Sequence, residues 1–552
     1  MEAFLQTHEK KLLAGFFALL VVLAFFLSPG YGSPLDEGSE QAILNSNLRS
    51  YAELIWGAED PRCEAIAPVN IQNSIERDHG QAAFYPLGPL LLAFADQGGL
   101  CARMYHFYIQ LLFLLGLFSL YRILRILTGK AGAAWLSVGM FWLSPRFFAE
   151  GYYNNKEMVL ACLCLVVFWR GLEFWRGRGW ASCVWFGLAG SFASNLRLVG
   201  LEAFGLMGLG YLAWVTLTKT WSRRAFGRGC LALGSWLAFF VLITPASWAG
   251  FVAYWQYVAS ASLSFTRWGG YVWYGGRLYN MASESLPWHY LPRLILLTTP
   301  PVFLALAALW PFSWLRKKAA GKEDHVFSAL FQLIMLAFGL IPILGAMAGD
   351  SVLYNGWRHF YFVYGPLVIL AVCGLWRLTG EKKLCRRLAV GLAGLQMLSC
   401  GVYIIRNYPV EGQYFNILAG ENAQLRYDAD YWSLGAVEAL RWVCENDPDE
   451  KLYLAGVCAG PYLVELNNAL NLLEPEDRER VVLKSGESRT GCEYLLVNTT
   501  YNIHGWEALA QGWQAEGFDD WLRRMEGGEP LAEIKSGQTV LWQIWRNPDY
   551  TD

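Results

Sequence analysis

Charge is what this sequence has least of: 16% of its 552 residues are Asp, Glu, Lys or Arg, where a soluble protein carries roughly 25%. Set against 55% hydrophobic and 16% aromatic residues, that scarcity excludes an ordinary cytosolic enzyme. No internal repeat and no low-complexity segment is present, which excludes solenoids and long disordered tails. The twelve cysteines show no repeated spacing and no zinc pattern. Cys162, Cys164, Cys230 and Cys373 fall in apolar runs, where a thiol is a small hydrophobe. Cys63 with Cys101, and Cys458 with Cys492, are open to disulfide formation if their segments face an oxidising compartment. The net charge of −2 hides an asymmetry. Residues 411–552 hold 11 Lys/Arg against 25 Asp/Glu, leaving 33 against 21 for residues 1–410.

What the chain has in abundance is long uncharged runs able to cross a hydrocarbon layer about 30 Å thick. They cover residues 12–27, 104–127, 132–148, 157–173, 181–196, 199–217, 229–247, 291–312, 326–347, 359–376 and 388–405, eleven spans in all. Basic residues mark alternate linkers: Lys10-Lys11, Arg122/Arg125/Lys130, Arg170/Arg176/Arg178, Lys219/Arg223/Arg224/Arg228, Arg316/Lys317/Lys318/Lys322 and Arg377/Lys382/Lys383/Arg386/Arg387. By the positive-inside rule these linkers and the amino terminus are cytoplasmic, and an odd span count puts the acidic carboxy-terminal region outside. Trp142, Trp180, Trp221, Trp248, Trp288 and Trp310 suit an interfacial belt. The first run also resembles a secretory signal peptide, but it exceeds the usual apolar length of roughly 7–15 residues and no Ala-x-Ala site follows, which favours an anchor.

Three segments are expected outside the membrane: 28–103, an aromatic-rich 248–290, and 410–552. The chain therefore divides into a transmembrane domain, 1–409, and an extracytoplasmic domain, 410–552. In the latter, an amphipathic helix at about 434–446 alternates with strand-like runs 451–456, 493–498 and 539–546, and the last can pair back on Leu531–Ile534 through a Ser536-Gly537 turn. The expected fold is a mainly α polytopic bundle with a small α/β domain.

Polar residues at span ends are functional candidates because burying them is costly, and here they gather on the external side. Asp36, Glu37 and Glu40 follow the first span; Asp78-His79-Gly80 closes the first loop. Arg103 and His106 open span two. Arg146 precedes Asn154-Asn155-Lys156-Glu157, Asn195 and Arg197 lie between spans five and six, and His289 and Arg358-His359 open later spans. The combination suits an anionic lipid headgroup beside a carboxylate base: Arg forks and helix amino termini bind phosphate oxygens, and a carboxylate accepts a hydroxyl proton. Each piece also has a plainer reading. Asp36 can cap a helix 36–44, Arg146, Arg197 and Arg358 can snorkel to the interface, Glu202 can pair with Arg197, and His79, His106 and His289 can satisfy local hydrogen bonds. Asp36, Glu37, Asp78 and His79 offer ligands to a divalent metal, though without a diagnostic spacing. No other cofactor is indicated.

Several strings resemble the glycosyltransferase C superfamily, in particular its bacterial protein O-mannosyltransferase-like and aminoarabinose-transferase-like members. They are Glu76-Arg77-Asp78-His79-Gly80, Ser144-Pro145-Arg146-Phe147-Phe148 with Asn154-Asn155-Lys156-Glu157, Leu286-Pro287-Trp288-His289-Tyr290-Leu291-Pro292 with Thr299-Pro300-Pro301, Tyr354-Asn355-Gly356-Trp357-Arg358-His359-Phe360, and Asp430-Tyr431-Trp432. The likeness covers roughly residues 10–435. It implies transfer of a sugar from a polyprenyl-phosphate donor to a hydroxyl acceptor on the external face of a bacterial plasma membrane, with inversion. Asp36 would then be the base or acceptor-orienting carboxylate with Glu37 beside it. Arg146, Lys156, Arg197 and Arg358 would meet the donor phosphate, Trp288 and His289 would line the pocket, and Asp78, His79 and His359 would complete the substrate-binding set. The 248–290 loop lacks the large inserted domain of eukaryotic protein mannosyltransferases, and 436–552 matches nothing assignable. The expected partners are the lipid-linked donor, membrane lipids and an acceptor that is lipid, glycan or protein; nucleic acid is not among them. A flippase or transporter for a lipid-linked saccharide is the alternative, which would need ionisable groups at mid-membrane depth and broken helices.

Overall fold

A computed structural model describes residues 2–263, 269–315, 322–349, 351–380, 382–457, 463–485, 491–500, 528–547 and 550. The basic stretch Arg316, Lys317 and Lys318, and Cys458 of one candidate disulfide, lie outside them. Cys63 and Cys101 are both free and buried, so that pairing does not form.

The protein is a multi-pass membrane protein, mainly helical, with one small sheet domain. We number the helices that matter to the site: α1 Glu9–Leu27, α2 Glu37–Trp56, α3 Gly98–Thr128, α4 Ala131–Trp142, α5 Pro145–Tyr153, α6 Glu157–Trp175, α7 Ala181–Leu196, α8 Leu198–Leu217, α9 Arg223–Ile243, α10 Tyr290–Thr298, α11 Pro301–Ala308, α12 Lys322–Ala348, α13 Tyr364–Thr379 and α14 Lys383–Asn407. Eight helices among the described residues are long and apolar enough to cross a membrane. Three of the eleven expected runs are shorter or broken helices rather than long ones. Pro145, which cannot continue the preceding helix, splits the run 132–148 into α4 and α5. Thr299-Pro300-Pro301 breaks 291–312 into two pieces bent by 119°. The run 181–196 is a helix of only 16 residues.

α6 and the segment Arg358–Thr379 form the centre, with 89% and 78% of their apolar windows buried, while α1 and α14 lie outermost at 17% each. Close approach at the centre depends on small residues: a Cβ on Gly116 of α3 would lie 2.5 Å from Cys162 Sγ of α6. Phe147 of α5 stacks on Tyr364 of α13 with centroids 3.9 Å apart. At the end of the bundle bearing the basic linkers, Arg125 pairs with Glu9 at 2.8 Å, and Glu2 caps α4 through the N–H groups of Ala131 and Gly132 at 2.7 and 3.0 Å.

Two sheets sit at the opposite end. β1 (Tyr271–Tyr274) and β2 (Arg277–Asn280) make a hairpin. The five remaining strands, β3 Leu452–Val457, β4 Val481–Leu483, β5 Tyr494–Asn498, β6 Ala532–Ser536 and β7 Thr539–Arg546, form one sheet in the order β4-β3-β5-β7-β6. β3 runs parallel to β4 and β5, and β7 is antiparallel to β5 and β6, so the β6–β7 hairpin forms at the expected Ser536-Gly537 turn. This sheet is tied to the bundle by Asp430, whose carboxylate accepts from the N–H groups of Leu434 and Gly435 and from Trp542 Nε1 at 2.8, 2.8 and 2.9 Å. Trp432 O in turn accepts from Leu35 N at 3.2 Å. That bond carries a segment of the tail to the first loop.

Candidate functional site

A cavity of about 1110 Å³ opens where the first loop, the starts of α6 and α8, the segment 352–359 and the tail meet. Asp36, Asp78, His79, Lys156, Arg197, Arg358 and His359 all line it, joined by Glu157, Glu202, Tyr354, Tyr431 and Trp432.

Local chemistry explains how each is presented. Asp36 sits just ahead of α2, and Glu40 follows four residues later, so the two share a face. Lys156 reaches both: its Nζ lies 3.3 Å from Asp36 Oδ2 and 2.5 Å from Glu40 Oε1. Lys156 is held there because Asn154 caps α6, its Oδ1 accepting from the N–H groups of Lys156, Glu157 and Met158 at 3.1, 2.8 and 3.3 Å. Arg197 is the extended residue between α7 and α8; its backbone bonds to Ala193 O and Gly200 N, but among the described residues its side chain makes no ion pair or hydrogen bond, and the pairing with Glu202 does not form. The loop carrying Asp78 and His79 reaches it by a close approach at Gly80, where a Cβ would lie 1.9 Å from Asn195 O; Ala82 N also donates to Asn195 Oδ1 at 3.0 Å. Arg358 stacks 4.1 Å above Trp432 and 5.1 Å from Tyr354, with Nη1 3.9 Å from Asp36 Oδ2. His359 Nε2 stands 3.5 Å from Glu157 Oε1.

The electrostatics follow from this crowding. Burial by itself raises the pKa of Asp36, but Lys156 and Arg358 outweigh it and hold the carboxyl below its ordinary value, so it is ionised at neutral pH. Burial pushes Lys156 down while Glu40 and Asp36 push it up, and the net shift is upward: an ammonium committed to two carboxylates. Tyr354, at the rim, is raised to about 12 by burial.

Four expected site residues do not reach the cavity. Glu37, one position past Asp36, points away and pairs with buried His106 at 2.9 Å. Arg146 is buried behind the wall, bonded to Tyr414 O at 3.3 Å and Tyr431 Oη at 3.5 Å. Trp288 is 68% exposed, and His289 Nδ1 is taken by Tyr274 Oη at 2.6 Å. Glu40 and Glu157 stand in the sequence only as general polar candidates, and Tyr354, Tyr431 and Trp432 only within the resembling strings, without a site role; the structure puts Glu40 on Lys156 and the other four on the cavity wall. Of the four candidate metal ligands, Asp78 and His79 come together with Glu76, their ligand atoms within 4.8 Å of one another. That group could hold a divalent cation at the cavity edge, and Asp36 and Glu37 are not part of it.

Chemically, the arrangement offers three cations from three separate elements, one ionised carboxylate between two of them, and apolar walls from Leu160, Leu198, Val199, Leu201 and Val258. No protein-family model matches the chain, and no curated protein matches it. Among solved structures, ArnT from Cupriavidus metallidurans bound to undecaprenyl phosphate is similar at 14% identity, covering 98% of this chain and 99% of that one, with a TM-score of 0.44. The oligosaccharyltransferase of Archaeoglobus fulgidus in complex with Zn and sulfate is similar at 11% identity over 87% and 68%, TM-score 0.42. Arabinofuranosyltransferase AftD from Mycobacteria is similar at 14% over 97% and 40%, TM-score 0.44.

Proposed function

We propose that this protein is an integral-membrane glycosyltransferase that moves a sugar from a polyprenyl-phosphate donor to a hydroxyl acceptor, with inversion. The observation that carries the reading is the convergence of Lys156, Arg197 and Arg358 on one cavity, beside Asp36 and walled by apolar side chains of α6 and α8. A phosphate wants the cations, and a polyprenyl chain wants the apolar wall. The strings shared with the glycosyltransferase C superfamily support the same reading.

In this mechanism the lipid phosphate seats against Arg358 and Arg197, whose guanidinium groups match its oxygens. As the glycosidic bond stretches, negative charge grows on the departing phosphate, and cations fixed in advance are worth more to that transition state than to the bound substrate. Asp36 orients the acceptor hydroxyl on the opposite face of the sugar. With its pKa depressed it is a weak base, so it takes the proton late, once the new C–O bond has made the hydroxyl acidic. Lys156 holds Asp36 and Glu40 in place with two of its three N–H donors and offers the third to the phosphate. Because the lipid already confines the donor to the bilayer, only the acceptor has to be captured from solution.

We propose the cavity end as extracytoplasmic and the basic linkers and amino terminus as cytoplasmic, with a division into 1–409 and 410–552 in which Tyr431, Trp432 and Thr500 of the second part complete the cavity. The bent α10–α11 pair is the feature that favours the flippase reading. Turnover of polyprenyl-phosphate sugars by purified wild type and Asp36→Asn tests the role of Asp36. Wild-type release of polyprenyl phosphate with loss in the variant supports it, and equal turnover in both removes Asp36 from the mechanism.

A further inference from the structure

Behind the cavity lies a buried carboxylate that the mechanism above does not use. Glu150 of α5 is 0% exposed, and both its oxygens are engaged. Oε2 accepts from Asn154 Nδ2 at 2.7 Å and Oε1 accepts from Tyr361 Oη at 2.7 Å. The two partners lead in opposite directions. Asn154 is the cap that holds the first turn of α6, and with it Lys156 and Glu157. Tyr361 contacts Tyr431 Oη at 3.2 Å, and Tyr431 forms part of the cavity wall beside Arg358, 5.7 Å from the guanidinium carbon to the ring centre.

With Glu150 as the carboxylate, the direction of every hydrogen bond in this network follows from counting protons. Asn154 Oδ1 is occupied by three backbone N–H groups, so only its amide NH₂ is left for Glu150. Tyr361 has one hydroxyl proton and gives it to Glu150. Tyr431 must therefore donate to Tyr361, and its own oxygen accepts from Arg146 Nη1 at 3.5 Å. Arg146, 3% exposed, supplies the positive charge that a buried carboxylate needs. We propose that Glu150 is a positioning residue that joins the two cation-bearing walls of the cavity, fixing the Tyr431–Arg358 wall through Tyr361 and the Lys156 wall through Asn154. This rests on the reading of the cavity as a transfer site.

The role requires an acceptor at both ends, which an amide cannot supply. In Glu150→Gln, an amide oxygen turned to Asn154 leaves NH₂ facing Tyr361 and reverses the tyrosine pair. Turned to Tyr361, it sets two NH₂ groups against each other and loosens the cap. The wild type, Glu150→Gln, Tyr361→Phe and the double variant are compared as purified full-length protein, for turnover of a polyprenyl-phosphate sugar and for binding of polyprenyl phosphate. Each single variant is expected to lose roughly tenfold or more in kcat with donor KM within about twofold, the signature of misplaced groups, and the double variant to be no worse than either single one. A role limited to stability would lower the melting temperature and leave kcat per folded molecule unchanged. Unchanged constants in both single variants, or losses that multiply in the double variant, overturn the inference alone. A wild type that neither binds polyprenyl phosphate nor turns over its sugars overturns the transfer reading and this inference with it.

Discussion

Replacing Lys156 by methionine separates the fold's dependence on charge from the substrate's. At an effective dielectric of about 20, unit charges at the Lys156–Asp36 and Lys156–Glu40 separations attract by about 5 and about 7 kcal/mol in gross terms, for distances of 3.3 and 2.5 Å. Desolvation of buried Glu40 and of the partly buried Lys156 and Asp36 offsets most of that attraction, so the net worth of the cluster is small. The cost of breaking it is not. Without Lys156, Glu40 is left 2% exposed with Gln81 Nε2 as its remaining donor, and an uncompensated buried charge costs about 3–5 kcal/mol. Glu40→Gln in the Lys156→Met background removes the stranded charge and is expected to recover more than half of the lost stability. Affinity for polyprenyl phosphate should stay about ten- to a hundredfold weaker in both variants, since a hydrogen bond to a charged group is worth about 1.5–3 kcal/mol. Thermal unfolding with and without polyprenyl phosphate reads both quantities. A Lys156→Met protein as stable as wild type, or a double variant that regains donor affinity along with stability, would refute the reasoning.

Arg197→Met removes a cation that has no partner among the described residues, so stability should change by no more than about 0.5 kcal/mol while the donor Kd rises about tenfold; a loss of stability without a change in Kd would contradict the assignment. Glu411, fully buried and bonded to Tyr31, is pushed up to about 8 by burial. It is neutral in the fold and ionised when unfolded, so its contribution is complete below about 4.5 and lost as pH rises through 8. Glu411→Gln should therefore flatten the fall of melting temperature between pH 5 and 9 (about one group's share), and an unchanged slope would rule it out. Gly80→Ala drives a Cβ into Asn195 O and should cost about 1–3 kcal/mol by lifting the Asp78-His79 loop; calorimetry showing wild-type stability would deny that close approach.

The spans were legible because a run of uncharged residues has few other places to go. Two of the three runs that are not single long helices are broken by proline: Pro145 and Pro300-Pro301 stand in plain view, yet a hydropathy reading alone treats them as apolar filler when their backbone chemistry ends a helix; the third, 181–196, is a short helix of 16 residues. Asp36 lines the cavity and Glu37 does not for one geometric reason. Adjacent helical positions point about 100° apart, whereas positions four apart share a face, so Glu40 and not Glu37 is the companion of Asp36. The same spacing links Arg146 to Glu150 and signals a buried layer behind the cavity. Nothing local could have announced that Tyr431 and Trp432, about 75 residues beyond Arg358 in sequence, complete its cradle, since that contact depends on the tail folding back through Asp430.

The fate of the lipid carrier tests the central claim most directly. Vesicles containing the purified protein and a polyprenyl-phosphate sugar, supplied with an envelope acceptor extract, can be resolved by mass spectrometry into free polyprenyl phosphate and intact lipid-linked sugar. The account predicts free polyprenyl phosphate accumulating in step with glycosylated acceptor, and neither product with Arg358→Met. Intact lipid-linked sugar moved to the opposite leaflet, with no free carrier, would contradict it and establish translocation instead.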